Sequence, residues 1–314
     1  MTPRPSLIVG FLVLVLSPMA AAASTAEASM AGLWHGPDGK PLPFDNHTEV
    51  IEFLEEADIT LVRELSSGTN RPKQVRLEKD GVVAHGIFRN VDRRKGKVNI
   101  SGKVHISFHD GYIYERAAYV LSRQLGIHHV PPCVERRFQG EYGTLQLWVE
   151  NAITEKDRRD QNRDVENPMF WLRHKQTMRL FDTLIANIDR NQGNFLIDDQ
   201  QNIWFIDHTR SFGISDRVEE LERLVWCERD LWKNLQNLDR KSLEKHLGEY
   251  LSGKQLQALE SRRSQLVNHL SQRISELGEG AVLYSGGELQ PDLTEIDPTI
   301  DDMPRDTSLP VFDG

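Results

Sequence analysis

The sequence predicts an α+β protein of two lobes, a small antiparallel sheet carrying one helix and then a mainly helical lobe. Three observations predict it. Strand-like runs separated by Gly, Asp and Asn turns fill the chain up to residue 150, one helical stripe interrupts them, and from Asn167 onward apolar residues recur at steps of three and four. The 314-residue length is enough to give each lobe its own core.

Taken in order, Arg4 supplies a short positive start, Leu7 to Leu16 an apolar run, and Ala21-Ala22-Ala23 a small-residue cleavage pattern. Residues 1–23 therefore read as a secretory signal, with an uncleaved anchor as the alternative; the run is shorter than the roughly 18–20 residues of a spanning helix. No later segment could span a bilayer, and the mature chain is expected outside the cytoplasm. Residues 24–45, rich in Ala, Gly and Pro, read as a linker. The first lobe, 46–150, opens with a short helix over Thr48 to Ala57 and three strands, Ile59–Leu65, Lys73–Glu78 and Val82–Val91, the last two joined by the tight turn Lys79-Asp80-Gly81. Asp92 to Gly111 is polar and basic, a long loop or an irregular hairpin. Ile113, Ala117, Leu121 and Leu125 form a helical stripe that Gly126 stops. After Val130-Pro131-Pro132, Val134–Phe138 and Thr144–Glu150 read as two further strands around a turn at Gly140.

The second lobe, 151–277, begins its regular structure at Asn167-Pro168, an N-cap and first-turn pair. Trp171, His174, Met178, Phe181, Ile185 and Ile188 mark one long helix. Phe195–Ile197 and Ile203–Ile206 form a hairpin around Asp198-Asp199-Gln200-Gln201, and helical patterns resume from Val218 to Leu277. Residues 278–314 are acidic, contain Pro and lack apolar periodicity, the composition of a disordered tail.

The formal net charge of −9 argues against a protein that coats nucleic acid. The two cysteines, Cys133 and Cys227, either pair with each other or are buried small hydrophobes; neither has the spacing of a metal or redox site. The His105/His109 and His128/His129 pairs lack a second ligand pair at zinc spacing.

The chemistry concentrates between Asn187 and Gly213, NIDRNQGNFLIDDQQNIWFIDHTRSFG. Phosphoryl transfer asks a protein for positioned metal ions, neutralised charge and an oriented hydroxyl rather than for covalent help. A loop presenting Asp189 and, five positions on, Asn194 can orient a hydroxyl and reach a metal, and the hairpin that follows can bring Asp207 opposite Asn194. The plainer reading makes Asp189 and Asn194 turn and capping residues and Asp207 a strand-end turn. The D-x-x-x-x-N spacing is that of a kinase catalytic loop, and Asp207 stands where kinases carry the aspartate of D-F-G.

This segment resembles the secreted atypical kinases of the Golgi casein kinase and glycosaminoglycan xylosylkinase type, and more distantly the HipA-like and phosphatidylinositol 3/4-kinase-like kinases. The resemblance rests on Ile206-Asp207-His208 with Phe212-Gly213, and on a second block, Glu115-Arg116-Ala117-Ala118-Tyr119 through Leu125-Gly126 to Val130-Pro131-Pro132, and it covers residues 58 to 215. It implies a protein-kinase-like fold that uses ATP and Mg²⁺ or Mn²⁺. It assigns Asp189 as the catalytic carboxylate, and Asn194 and Asp207 as metal ligands. Gly68 would approach the phosphates in the turn between the first two strands, and Glu150 would end the strand whose backbone faces the adenine. Glu115 would be the helix glutamate that pairs with a basic group or contributes to the metal site; a solvent-exposed helix charge is the plain alternative. Where the family has a phosphate-binding lysine, this chain has Arg89, which keeps the charge but not the geometry. Either Arg89 does the lysine's work, or Lys73, Lys97 or Lys103 substitutes, or transfer is lost. The expected function is an exported kinase acting on a hydroxyl of a protein, a glycan or a small molecule; the alternative is a non-catalytic kinase-like binding module.

Overall fold

The structure, a computed structural model, describes residues 31–65, 71–100 and 102–285. The leader at 1–23, Gly68 and the last residues of the expected tail, 286–314, lie outside these. Asn46 caps helix α1 (His47–Glu56) by accepting from the Glu49 backbone N–H at 3.1 Å. Strands β1 (Asp58–Glu64), β2 (Lys73–Lys79) and β3 (Val82–Arg89) follow as an antiparallel meander. β4 (Asp92–Ile100) and β5 (Lys103–Gly111) then form a separate two-stranded hairpin where the sequence left a loop or hairpin open. Helix α2 (Ile113–Leu125) is stopped by Gly126 in the left-handed conformation, φ 74°.

Strands β6 (Cys133–Phe138) and β7 (Glu141–Leu147) complete a five-stranded sheet in the order β1-β2-β3-β7-β6. β7 starts and ends three residues earlier than the strand read from sequence. The turn is two residues, Gln139 and Gly140, both at positive φ, and it sets the register Phe138 opposite Glu141. Gly143 on β7 is required by packing: a Cβ there would collide with the Arg89 carbonyl and the Phe88 ring. Its absence lets β7 lie close beneath Arg89.

The chain crosses to the second lobe at β8 (Ala152–Thr154), followed by the short helix α3 (Glu155–Asp160). α4 (Pro168–Ile185) carries the Asn167 cap as expected but ends before Ile188, because Ala186 turns left-handed at φ 50°. Ile188 thereby leaves the helix and packs on Val98, Ile100 and Phe108 of the hairpin. β9 (Phe195–Asp198) and β10 (Ile203–Phe205) pair as expected, and β8 joins them as a third strand. Beyond them β11 (Cys227–Glu228), α5 (Arg229–Asn237), α6 (Arg240–Leu247) and the 25-residue α7 (Gly253–Leu277) build the helical lobe.

Two domain boundaries also differ from the sequence reading. Residues 31–45 of the supposed linker belong to the fold: Trp34, Leu42 and Phe44 are buried with α1 and the sheet, and the Trp34 ring lies 4.6 Å from that of Trp204. Residues 278–285 are likewise ordered, as α8 (Glu279–Val282) and β12 (Leu283–Tyr284), which pairs in parallel with β11 and buries Val282, Leu283 and Tyr284. Cys133 and Cys227 are free and buried, the small-hydrophobe alternative. α2 serves both lobes. It packs on β6 and β7, while Ala117, Leu121 and Leu125 share one apolar core with Phe181 and Phe205 of the second lobe. Among the described residues, no helix is long and apolar enough to cross a membrane.

Candidate active site

The left-handed Ala186 redirects the chain out of α4 into a loop held by its own side chains. Asn187 Oδ1 accepts from the Asp189 N–H at 3.1 Å, Asn191 Oδ1 accepts from the Gly193 N–H at 2.8 Å, and Asn194 Nδ2 donates to the Asp189 carbonyl at 2.8 Å. Asn side chains make the turn here, Asn194 among them as the plain reading held, whereas Asp189 contributes only backbone groups to these bonds. The same bonds leave the Asn194 amide oxygen, not its nitrogen, as the end available to a cation.

Asp207 follows β10 in the left-handed region, φ 58°, and its Oδ1 accepts from Thr209 Oγ1 at 3.1 Å. Arg190 sets the spacing between the two stretches. Its Nη1 donates to the Ile206 carbonyl at 2.8 Å and also to the Asn194 carbonyl, while Nε and Nη2 form a two-bond fork on Asp182 at 2.8 and 3.0 Å. One guanidinium thus ties the residue before Asp207 to Asn194.

Asp189 accepts from Arg210 Nη1 at 3.1 Å, and Arg210 Nε donates to Asp110 at 3.0 Å. Burial pushes the Asp189 carboxyl up to about 7, aided by the nearby charges of Asp207 and Asp110 and opposed by Arg210 and Arg190. Arg210 is itself raised, its pairing with Asp110 and Asp189 outweighing burial.

Glu115 is fully buried, not the exposed helix charge of the plain alternative. Its Oε1 lies 3.5 Å from Arg89 Nε and accepts from the His208 backbone N–H at 3.1 Å, and its Oε2 meets His208 Nδ1 at 3.2 Å. Burial would raise this carboxyl, yet the Arg89 charge and the His208 bonds outweigh it and hold it down to about 2. Of the two roles left open for Glu115, the structure displays the pairing with a basic group. Among the basic candidates, Lys73 pairs with Glu141 at 3.6 Å, Lys103 with Glu219, and Lys97 is exposed on the hairpin; Arg89 is the one beside Glu115.

Glu150 lies just beyond β7 where the chain passes between lobes, and its carboxylate is engaged by His85 Nδ1 at 2.7 Å. A surface depression of about 450 Å³ is lined by Glu56, Asp58, Thr60, Glu78, Lys79, Asp80 and Gly81 and includes none of the site residues. Three residues of the network, Asp110, Asp182 and Arg210, were not singled out from sequence, and Arg190 and His208 entered it only as members of the motif, without a role. Arg190 and Arg210 sit inside the quoted segment, but nothing in spacing announces that Asp110 meets Arg210 a hundred positions later.

Among the described residues, no three His, Cys, Asp or Glu side chains converge as a metal-holding cluster. The donor chemistry nonetheless suits Mg²⁺ or Mn²⁺. Asp207 and the Asn194 amide offer hard oxygens, and such ions bind through one or two carboxylates while keeping waters and substrate phosphates as their other ligands.

No protein-family model and no curated protein matches the chain. Solved structures do. The structure of hydra Fam20 with sugar aligns at a TM-score of 0.56 and 16% identity, over 77% of this chain and 93% of that one. The Golgi casein kinase with Mn/ADP bound aligns at a TM-score of 0.55 and 16% identity, over 77% of this chain and 80% of that one. With an antiparallel sheet and one helix in front, a helical lobe behind and these two structural neighbours, the chain has a protein-kinase-like fold similar to that of Fam20 and the Golgi casein kinase.

Proposed function

We propose that the chain is an exported atypical kinase that transfers the γ-phosphoryl group of ATP to a hydroxyl acceptor with Mg²⁺ or Mn²⁺. The observation that carries this reading is the single buried network in which Arg89 and Glu115 of the first lobe meet the residue next to Asp207 in the second. Two charges buried together at the lobe junction, one of them bonded to the residue that follows Asp207, support this reading.

The roles follow from position. Asp189 receives the acceptor hydroxyl's hydrogen bond, and near pH 7 it stands between its accepting and neutral forms. Arg210 holds one Asp189 oxygen and so orients the other. Asn194 and Asp207 hold the divalent ion, which when bound neutralises phosphate charge. Arg89, paired with Glu115, presents its remaining N–H groups to phosphate oxygens, and Glu150 belongs to the nucleotide side of the cleft. The acceptor is a hydroxyl of a protein, a glycan or a small molecule, and the neighbour solved with sugar supports that class. Export rests on residues 1–23.

A non-catalytic nucleotide- or partner-binding module is the second reading, favoured by arginine in the lysine position. Thermal shift with ATP and Mg²⁺ or Mn²⁺, run on the mature protein and on Asp207→Ala, tests the site. Metal-dependent stabilisation lost in the variant is expected, and no shift with either metal overturns the proposal. Turnover with bound nucleotide then separates the two readings.

A further inference from the structure

We propose that His208 is a positioning residue that fixes Asp207 in its metal-binding orientation by bridging the two lobes through both nitrogens of its ring. The inference rests on the reading of Asp207 as a metal ligand. His208 is fully buried, and every polar atom it turns toward the site is used. Nε2 lies 3.2 Å from Arg190 Nη2, Nδ1 lies 3.2 Å from Glu115 Oε2, and the backbone N–H reaches Glu115 Oε1 at 3.1 Å. A guanidinium only donates, so Nε2 must accept. The ring proton therefore sits on Nδ1 and is given to the Glu115 carboxylate. The neighbours dictate the tautomer, and the tautomer lets one ring join an N-lobe carboxylate to a C-lobe guanidinium.

The consequence falls on Asp207. Its left-handed backbone is uphill for an L-residue and persists only if both flanking peptides are held. The Ile206 carbonyl before it is held by Arg190 at 2.8 Å, and the His208 N–H after it by Glu115. His208 links those two holders, closing a chain from Asp182 in α4 through Arg190, His208 and Glu115 to Arg89 in β3. Arg89 and Asp207 are thereby positioned by one continuous network.

The competing account is that the ring only fills space beside Phe181, whose centroid is 5.9 Å away. Two variants separate them. His208→Phe keeps the ring and removes both side-chain bonds; His208→Asn keeps a donor for Glu115 and loses the acceptor for Arg190. Mn²⁺ binding to the mature full chain would be measured by electron paramagnetic resonance with a non-hydrolysable ATP analogue present, after circular dichroism has verified folding.

Removing a bond that orients a metal ligand costs about 10–100-fold in affinity, so His208→Phe should weaken Mn²⁺ binding by that factor, with His208→Asn between it and the wild type. In turnover, the half-saturating Mn²⁺ concentration should rise while kcat at saturating metal changes little. Wild-type Mn²⁺ affinity in folded His208→Phe, or His208→Phe binding more tightly than His208→Asn, overturns the proposal in favour of packing. If His208→Phe does not fold, His208→Asn decides, and unchanged affinity there overturns the bridge. Failure of the wild type itself to bind Mn²⁺ with nucleotide would instead refute the kinase reading, and this inference with it.

Discussion

Removing Arg89 should cost more than removing Arg89 and the charge on Glu115 together. The pair is 3.5 Å apart, with side chains 7% and 0% exposed. At that separation and an effective dielectric of about 20 the attraction is about 5 kcal/mol, most of it offset by desolvating both groups. The net worth of the pair is small, but deleting one member strands the other. Arg89→Met leaves the Glu115 carboxylate buried and facing only His208, a loss of about 3–5 kcal/mol and about 10 °C in melting temperature for a chain of this size. Adding Glu115→Gln removes the stranded charge while keeping an oxygen to accept from the His208 N–H, and should restore at least about 2 kcal/mol. Calorimetry and urea unfolding of the two singles and the double close the cycle. If the two single effects add to within about 0.5 kcal/mol, the groups are not coupled and the network at the lobe junction has been misread.

Asp189→Ala should leave metal–nucleotide binding near wild type and lower kcat by about 10²–10⁴-fold, read by single-turnover phosphoryl transfer; an equal loss of binding would move Asp189 to the metal. Ala186→Gly should stabilise the chain by about 1 kcal/mol in urea, because Ala186 is left-handed at φ 50° and glycine adopts that conformation without penalty. Trp34→Ala should cost about 3–5 kcal/mol, since Trp34 is buried against Trp204, and an unchanged urea midpoint would return residues 31–45 to the status of a linker. Burial, with His174 beside it, holds His129 down to about 3, and His174 is lowered by burial too. Both bind fewer protons folded than unfolded. Their stabilisation is complete above about pH 6.5 and is lost as pH falls below it, for His129 down toward pH 3, at up to about 1.4 kcal/mol per pH unit for a ring. Urea midpoints measured from pH 7.5 to 4.5 should fall accordingly, and a flat profile would refute the burial of the neutral rings.

Local chemistry decided much of this protein before any folding was considered. The stripe Ala117, Leu121, Leu125 with Gly126 behind it specifies α2, Asn167-Pro168 starts α4, and the Asp189–Asn194–Asp207 spacing is written within twenty residues. Such signals are legible because capping, periodicity and turn formation act between residues a few positions apart. Ala186 escaped that reading, since alanine favours helix and no local cue announces a left-handed turn. So did the placing of Trp34 and Tyr284, buried by partners elsewhere in the chain, Trp204 and Cys227–Glu228.

The charged network belongs wholly to the tertiary structure. Glu115 meets His208 across ninety-three positions and Asp110 meets Arg210 across a hundred. Neither carboxylate would be buried without its partners, because an unpaired ion is costly to remove from water. The pairing and the burial must therefore arrive together, when the lobes close on each other. A sequence can state which residues carry charge; only the closed fold decides which of them can lose their water.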